Sequence, residues 1–200
     1  MTDWDLPRDP LAALRGGDSG PFEGFVRSHA RTLFAFFRRQ GAGLHKAEDL
    51  TQEVFLKLHR KAPQYRPDER FQAFVFRVAR NVWIDDRRRA GARVAPGRLE
   101  GPEGSDRERI VGGLSEERDP VELVALVEEG QRLRRALEEL PETHRAVFEL
   151  GAIQELPYAD VASILEIPVG TVKSRMYHAL RKLREALEPD GARKEEEGVA

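Results

Sequence analysis

LPYADVASILEIPVGTVKSRMYHALRKLREAL, from Leu156 to Leu187, is the stretch that decides how this chain folds. It reads as helix, tight turn, helix. Val161, Ala162 and Leu165 give the first helix an inner face, Glu166 and Ile167 fall at the turn, and Pro168 opens the second helix, where its missing N–H is no loss. At about 100° per residue, Val172, Met176, Ala179, Leu180 and Leu183 gather on one side of that second helix. Opposite them lie Gly170, Lys173, Ser174, Tyr177, His178 and Arg181. This outer face carries donors suited to phosphates and major-groove base edges, which is what a recognition helix needs. A solvated basic face on an ordinary helical hairpin would carry the same charge. The short turn and the close-fitting polar groups favour DNA.

LPETHRAVFEL, from Leu140 to Leu150, comes just before. With YADVASILEIPVGTVKSRMYHALRKL it closely resembles the C-terminal promoter-binding domain of the bacterial extracytoplasmic-function (ECF) sigma factors, and the PVGTVKSR run is highly specific. The resemblance implies that the last helix reads a minus-thirty-five element through Lys173, Ser174, Tyr177 and His178, with Gly170, Thr171 and Arg181 in the same DNA-facing set. Two residues depart from the family pattern. His178 stands where Arg is usual, which weakens the local charge, and Glu166 stands at the turn where Gly is usual. If that position needs a positive φ, Glu costs on the order of 1 kcal/mol relative to Gly.

A second motif is AEDLTQEVFLKLHR, Ala47 to Arg60. Its period predicts a helix with Leu50, Val54 and Leu58 facing in and Asp49, Gln52, Glu53, Leu56 and Arg60 along the outside. An exposed strip of acids, an amide and one leucine suits a basic protein partner better than DNA. DLTQEVF also looks like the core-polymerase-binding helix of the sigma family, whose partner is the coiled coil of the polymerase clamp. That likeness makes Asp49, Gln52, Glu53 and Leu56 the candidate polymerase contacts.

The third is YRPDERFQAFVFRVARNVWIDDRRR, Tyr65 to Arg89. Phe71, Phe74, Val75, Val78 and Val82 form a core stripe. Phe76, Arg80, Trp83 and Arg87 lie on another side, with Arg77 beside them and Arg88 and Arg89 at the helix end. Aromatic rings interleaved with arginines suit separated DNA strands, since rings stack on exposed bases while guanidiniums hold phosphates. A second buried face against the first helix explains Phe76 and Trp83 equally well. The resemblance implies that Tyr65, Arg66 and Asn81 form a pocket for a base flipped out of a minus-ten element, and an Asn amide can pair with a base edge in both directions.

Around these motifs the chain divides by composition and charge. Residues 21–89 carry 15 Lys and Arg against 8 Asp and Glu, although the whole 200-residue chain has a net charge of -2. A basic block offset by acid elsewhere points to a polyanion partner. Helical periods run over Phe22–Phe37, Ala47–Arg60 and Phe71–Arg89, with Asp18 a candidate cap and Gly41 and Gly43 closing the first. The segment GARVAPGRLEGPEGSDRERIVGGLSEERDP has no apolar period and reads as a flexible linker. The expected fold is all-α: a lead at 1–20, a helical domain at 21–90, an acidic linker at 91–120, a helix-turn-helix domain at 121–188 and a frayed tail at 189–200. In related factors the linker threads the positively charged polymerase channel, which excess acid suits.

Zero cysteines rule out disulfides, thiolate zinc sites and Cys nucleophiles. No apolar run approaches membrane-span length and the N-terminus lacks a secretory pattern, so a cytoplasmic protein without membrane insertion is expected. The five histidines, His29, His45, His59, His144 and His178, show no ligand spacing, no Gly-rich phosphate loop follows a strand, and no paired carboxylates fall in a plausible cleft. No catalytic residue, metal or cofactor is expected. The expected partners are core RNA polymerase, promoter DNA in duplex and melted form, and an anti-sigma factor. The rival reading is an autonomous helix-turn-helix regulator, which has no use for the DLTQEVF strip.

Overall fold

The computed structural model describes residues 4, 6–67, 70–93 and 132–187, and among them every regular element is helical. The linker expected at 91–120, apart from the helix end at 91–93, and the tail expected at 189–200 lie outside the described residues, as does the 121–131 part of the domain expected at 121–188.

Short-range signals account for most helix boundaries. α1 (Pro10–Arg15) starts on Asp9, whose side chain accepts from the backbone N–H of Leu11 and Ala12, with Pro in the first turn. The lead segment thus contains a helix, and its Leu11 is fully buried. α2 (Gly20–Arg39) follows, with Asp18 Oδ1 accepting from Gly20 N at 3.2 Å, and closes at Gly41, where φ is 100°. Only glycine takes that conformation without a Cβ penalty. α3 (Leu44–Lys61) buries Leu50, Val54 and Leu58 as its period predicts, and a 3-10 turn (Ala62–Gln64) leads out of it.

α4 (Phe71–Arg93) is buried on two sides. Val75, Val78 and Val82 face one neighbour, and Phe76 and Trp83, at 0% and 7% exposure, are buried as well. Phe76 packs on Phe36 of α2 and on Trp4, so the buried-face reading of these two aromatics holds and the strand-stacking one does not. Lys46–Asp86 and Lys57–Asp85 ion pairs join α3 to α4 at 3.1 and 3.4 Å.

The C-terminal half comprises α5 (132–139), α6 (Glu142–Phe148) running into a π turn (Glu149–Ile153), α7 (Tyr158–Leu165) and α8 (Val169–Leu187). Prolines 141, 157 and 168 each stand just before a helix, where no N–H is needed. Between α7 and α8, Glu166 adopts φ 55° and ψ 44°, the left-handed conformation that favours Gly, and Ile167 N donates to Ala162 O at 3.1 Å.

The two halves share one hydrophobic cluster, with Phe36, Phe76 and Trp83 from the first and Val147, Leu150 and Leu165 from the second. α7 packs along α4. A buried ion pair crosses the junction: Arg39 Nε and Nη2 donate to Glu149 Oε2 and Oε1 at 2.6 and 2.8 Å, and Gln154 Nε2 adds a third donor to that carboxylate at 2.9 Å.

Candidate nucleic-acid and polymerase interfaces

α8 presents the expected outer face. Its inner side is held by Val172, Met176, Ala179 and Leu183, all nearly inaccessible. Gly170, Lys173, Ser174, Tyr177, His178 and Arg181 are exposed, Tyr177 at 64%, and Thr171 is half-buried at the helix start. Leu180 departs from its expected inner place: it is 49% exposed, one step past Ala179 and outside the buried stripe. An apolar group therefore sits among the polar ones on the open face.

His144, from α6, adds a residue that the period alone did not single out. Its ring lies 6.1 Å from that of His178. Partial burial lowers its pKa first, and the positive potential of His178, Arg175 and Lys182 lowers it further. Positive groups on this flank of α8 thus add to burial in disfavouring a proton on His144. The sequence signal was available only as spacing between two histidines on different helices, which no local pattern links.

On α3, Asp49, Gln52, Leu56 and Arg60 are exposed, with Leu56 at 55%, and Glu53 is half-buried. Glu53 pairs with Lys57 at 3.1 Å and with Arg89 at 3.4 Å. One strip therefore holds acidic groups beside an exposed leucine, as expected.

The strand-facing residues around α4 do not form one continuous patch. Arg77 and Arg80 lie where the C-terminal half packs: Arg77 Nη2 donates to Ser163 Oγ of α7 at 3.2 Å. Burial lowers the pKa of Arg80, with Glu166 and Glu142 acting in the opposite direction. Asn81, Arg66 and Arg88 are exposed. Arg87 sits over the Trp83 ring at 5.6 Å, and Arg89 turns toward α3 and Glu53. Tyr65 is 3% exposed, its ring against Phe74 and its hydroxyl donating to Asp9 Oδ2 at 2.7 Å. A buried Tyr65 cannot stack on a base in this arrangement; it shapes the loop that carries Arg66.

Among the described residues no three His, Asp or Glu side chains are grouped to hold a metal, and no helix is long and apolar enough to cross a membrane.

Comparison with known proteins agrees with both halves. Residues 25–93 match the Sigma-70 region 2 family model, and residues 130–183 match the Sigma-70, region 4 model. The ECF RNA polymerase sigma factor SigE of Mycolicibacterium smegmatis is 33% identical over 81% of this chain and 60% of that protein. The ECF RNA polymerase sigma-E factor of Escherichia coli K12 is 32% identical over 70% of this chain and 73% of its own length. The fold is shared with the sigma factor RpoE from Bartonella quintana, solved in complex with the anti-sigma factor NepR, at a TM-score of 0.62 and 23% identity, covering 84% of this chain and 98% of that one. CnrH, solved with the cytosolic domain of CnrY, gives a TM-score of 0.60 and 23% identity over 90% and 96% of the two chains. The chain belongs to the extracytoplasmic-function family of RNA polymerase sigma factors.

Proposed function

We propose that this chain binds core RNA polymerase through the Asp49, Gln52, Glu53 and Leu56 strip and directs it to promoters with distinct minus-thirty-five and minus-ten elements. The outer face of α8 reads the upstream duplex, with Lys173, Ser174, Tyr177 and His178 at base edges and Arg181 at phosphate. Arg66, Asn81 and the arginines of α4 take the downstream strands as they separate, with Tyr65 holding the loop. The packing of α7 on α4 is a resting arrangement that covers Arg77 and Arg80, so the halves must part before α4 meets DNA. An anti-sigma factor is the expected regulator, since the sigma factor RpoE of Bartonella quintana, which shares this fold, was solved in complex with the anti-sigma factor NepR.

The observation that carries this reading is the two-sidedness of α8: every buried position is apolar, while Lys173, Ser174, Tyr177, His178 and Arg181 stand exposed on the open face with donors for phosphates and base edges. An autonomous regulator is disfavoured by the exposed α3 strip, for which it has no use. The test is selection from randomised minus-thirty-five sequences by the reconstituted holoenzyme at fixed salt. Lys173→Ala, Ser174→Ala and His178→Arg should each change the recovered consensus, since a good base-edge pair discriminates by about 1–3 kcal/mol. Arg181→Ala should weaken all sites alike and lower the salt slope. Recovery of the wild-type consensus by the first three variants would refute this face as the reading face.

A further inference from the structure

The two halves do not meet flush. Between α2 and α4 on one side and α6, α7 and α8 on the other lies a cavity of about 130 Å3. Phe36, Ile84, Ala146, Leu150 and Leu165 supply apolar wall from both halves. Two further lining side chains carry polar atoms with no partner: the Gln40 amide nitrogen and the Trp83 indole N–H are both buried donors without an acceptor. Gln40 is 4% and Trp83 7% exposed, so bulk water does not satisfy them. Buried donors are almost always paired, and two orphans lining the same cavity call for an acceptor there. The charge around them agrees, because Arg80 and Arg175 also line the space against a single carboxylate, Glu142.

The space is that of one small ring: an engineered apolar cavity of roughly 150 Å3 takes benzene. Water alone can meet the two donors, but it gains nothing from the apolar wall, and a plain hydrocarbon leaves the donors unmet. We propose that this cavity is a binding site for a small aromatic carboxylate, its ring against Phe36, Ile84, Leu150 and Leu165 and its oxygens accepting from Gln40 and Trp83, with Arg80 and Arg175 balancing the charge. Because the walls come from both halves, such a ligand binds the closed arrangement and not the separated one, and so favours closure. The consequence for transcription rests on the functional reading above; the binding does not.

Benzoate is the probe, titrated against the full-length chain by calorimetry and by thermal unfolding at constant ionic strength. Saturable binding and a rising Tm are expected with benzoate, and neither with acetate, which has the anion but no ring. Gln40→Met removes one donor at nearly constant side-chain size and Trp83→Phe removes the other while keeping an aromatic ring at the wall, and each should weaken benzoate by about tenfold or more. If benzoate affects the wild-type protein no more than acetate does, or binds both variants undiminished, the site is refuted. In run-off transcription with core polymerase, benzoate should lower output from the wild-type chain and leave that of Trp83→Phe unaltered. Binding without this effect would overturn the regulatory consequence alone. Absence of any polymerase-dependent transcription would instead be a failure of the functional reading and would leave the binding result standing.

Discussion

Arg39→Ala should unlatch the two halves of the chain. Glu149 is 1% exposed at its side chain and receives two of its three hydrogen bonds from Arg39. Removing one partner of a buried ion pair costs about 3–5 kcal/mol when the remaining charge must stay buried. Here the chain has an escape, since parting the halves exposes Glu149 to water, so the penalty falls on closure and not on the folding of either half. Even about 3 kcal/mol would lower the closed-to-open ratio on the order of 100-fold. The other polar links are weaker: Arg70–Asp160 is long, at 3.7 Å, with Arg70 exposed and Asp160 half-buried, and Arg77–Ser163, at 3.2 Å, is exposed, and such contacts contribute about 1 kcal/mol or less each. The hydrogen bond from Gln72 to Gln154 O, at 2.7 Å, adds about 1 kcal/mol. With no native cysteine, Lys61→Cys and Arg184→Cys can be labelled cleanly for energy transfer. Arg39→Ala should lower the transfer efficiency and leave helix content intact, and Arg39→Lys should fall between. Unchanged transfer in Arg39→Ala, together with a global loss of about 3–5 kcal/mol, would refute the latch and place the pair among ordinary core interactions.

Three further outcomes follow from single residues. Glu166→Gly relieves a left-handed φ of 55° and should raise stability in urea unfolding by about 1 kcal/mol. Because the folded state holds the pKa of His144 below its ordinary value, the unfolded chain takes up that proton first. Stability should therefore decline as pH falls from the ordinary imidazole value through the lowered one, and His144→Asn should flatten Tm against pH in that window. Asn81→Ala should impair permanganate-detected opening on duplex templates and spare pre-melted ones; equal defects on both would point to lost fold or polymerase contact.

The helix-turn-helix was legible because three prolines and an unbroken apolar period bracket it, and the open face followed from counting around α8. Leu180 misled because it is one residue from a stripe member, where helical angle alone does not separate rim from core. Phe76 and Trp83 were ambiguous for a different reason: a helix buried on two sides has no polar face to settle which aromatics point out. α1 was missed since six residues are too few for a period, although the Asp9–Pro10 cap was there to read. Closure of the two halves left no local trace at all. Arg39 and Glu149 are 110 residues apart in sequence, and each taken alone reads as an ordinary charged helix residue.

On the proposed function, this chain works only as part of RNA polymerase. The most direct test is promoter opening and run-off synthesis from a promoter library with purified core enzyme, the wild-type chain and the Asp49→Lys/Glu53→Lys double variant. Template-specific transcripts that require both core and the wild-type chain are expected, with loss of co-purification with core for the double variant at unchanged helix content. Full-affinity, sequence-specific binding of upstream DNA by the chain alone, with core association at wild-type yield in the double variant, would contradict it.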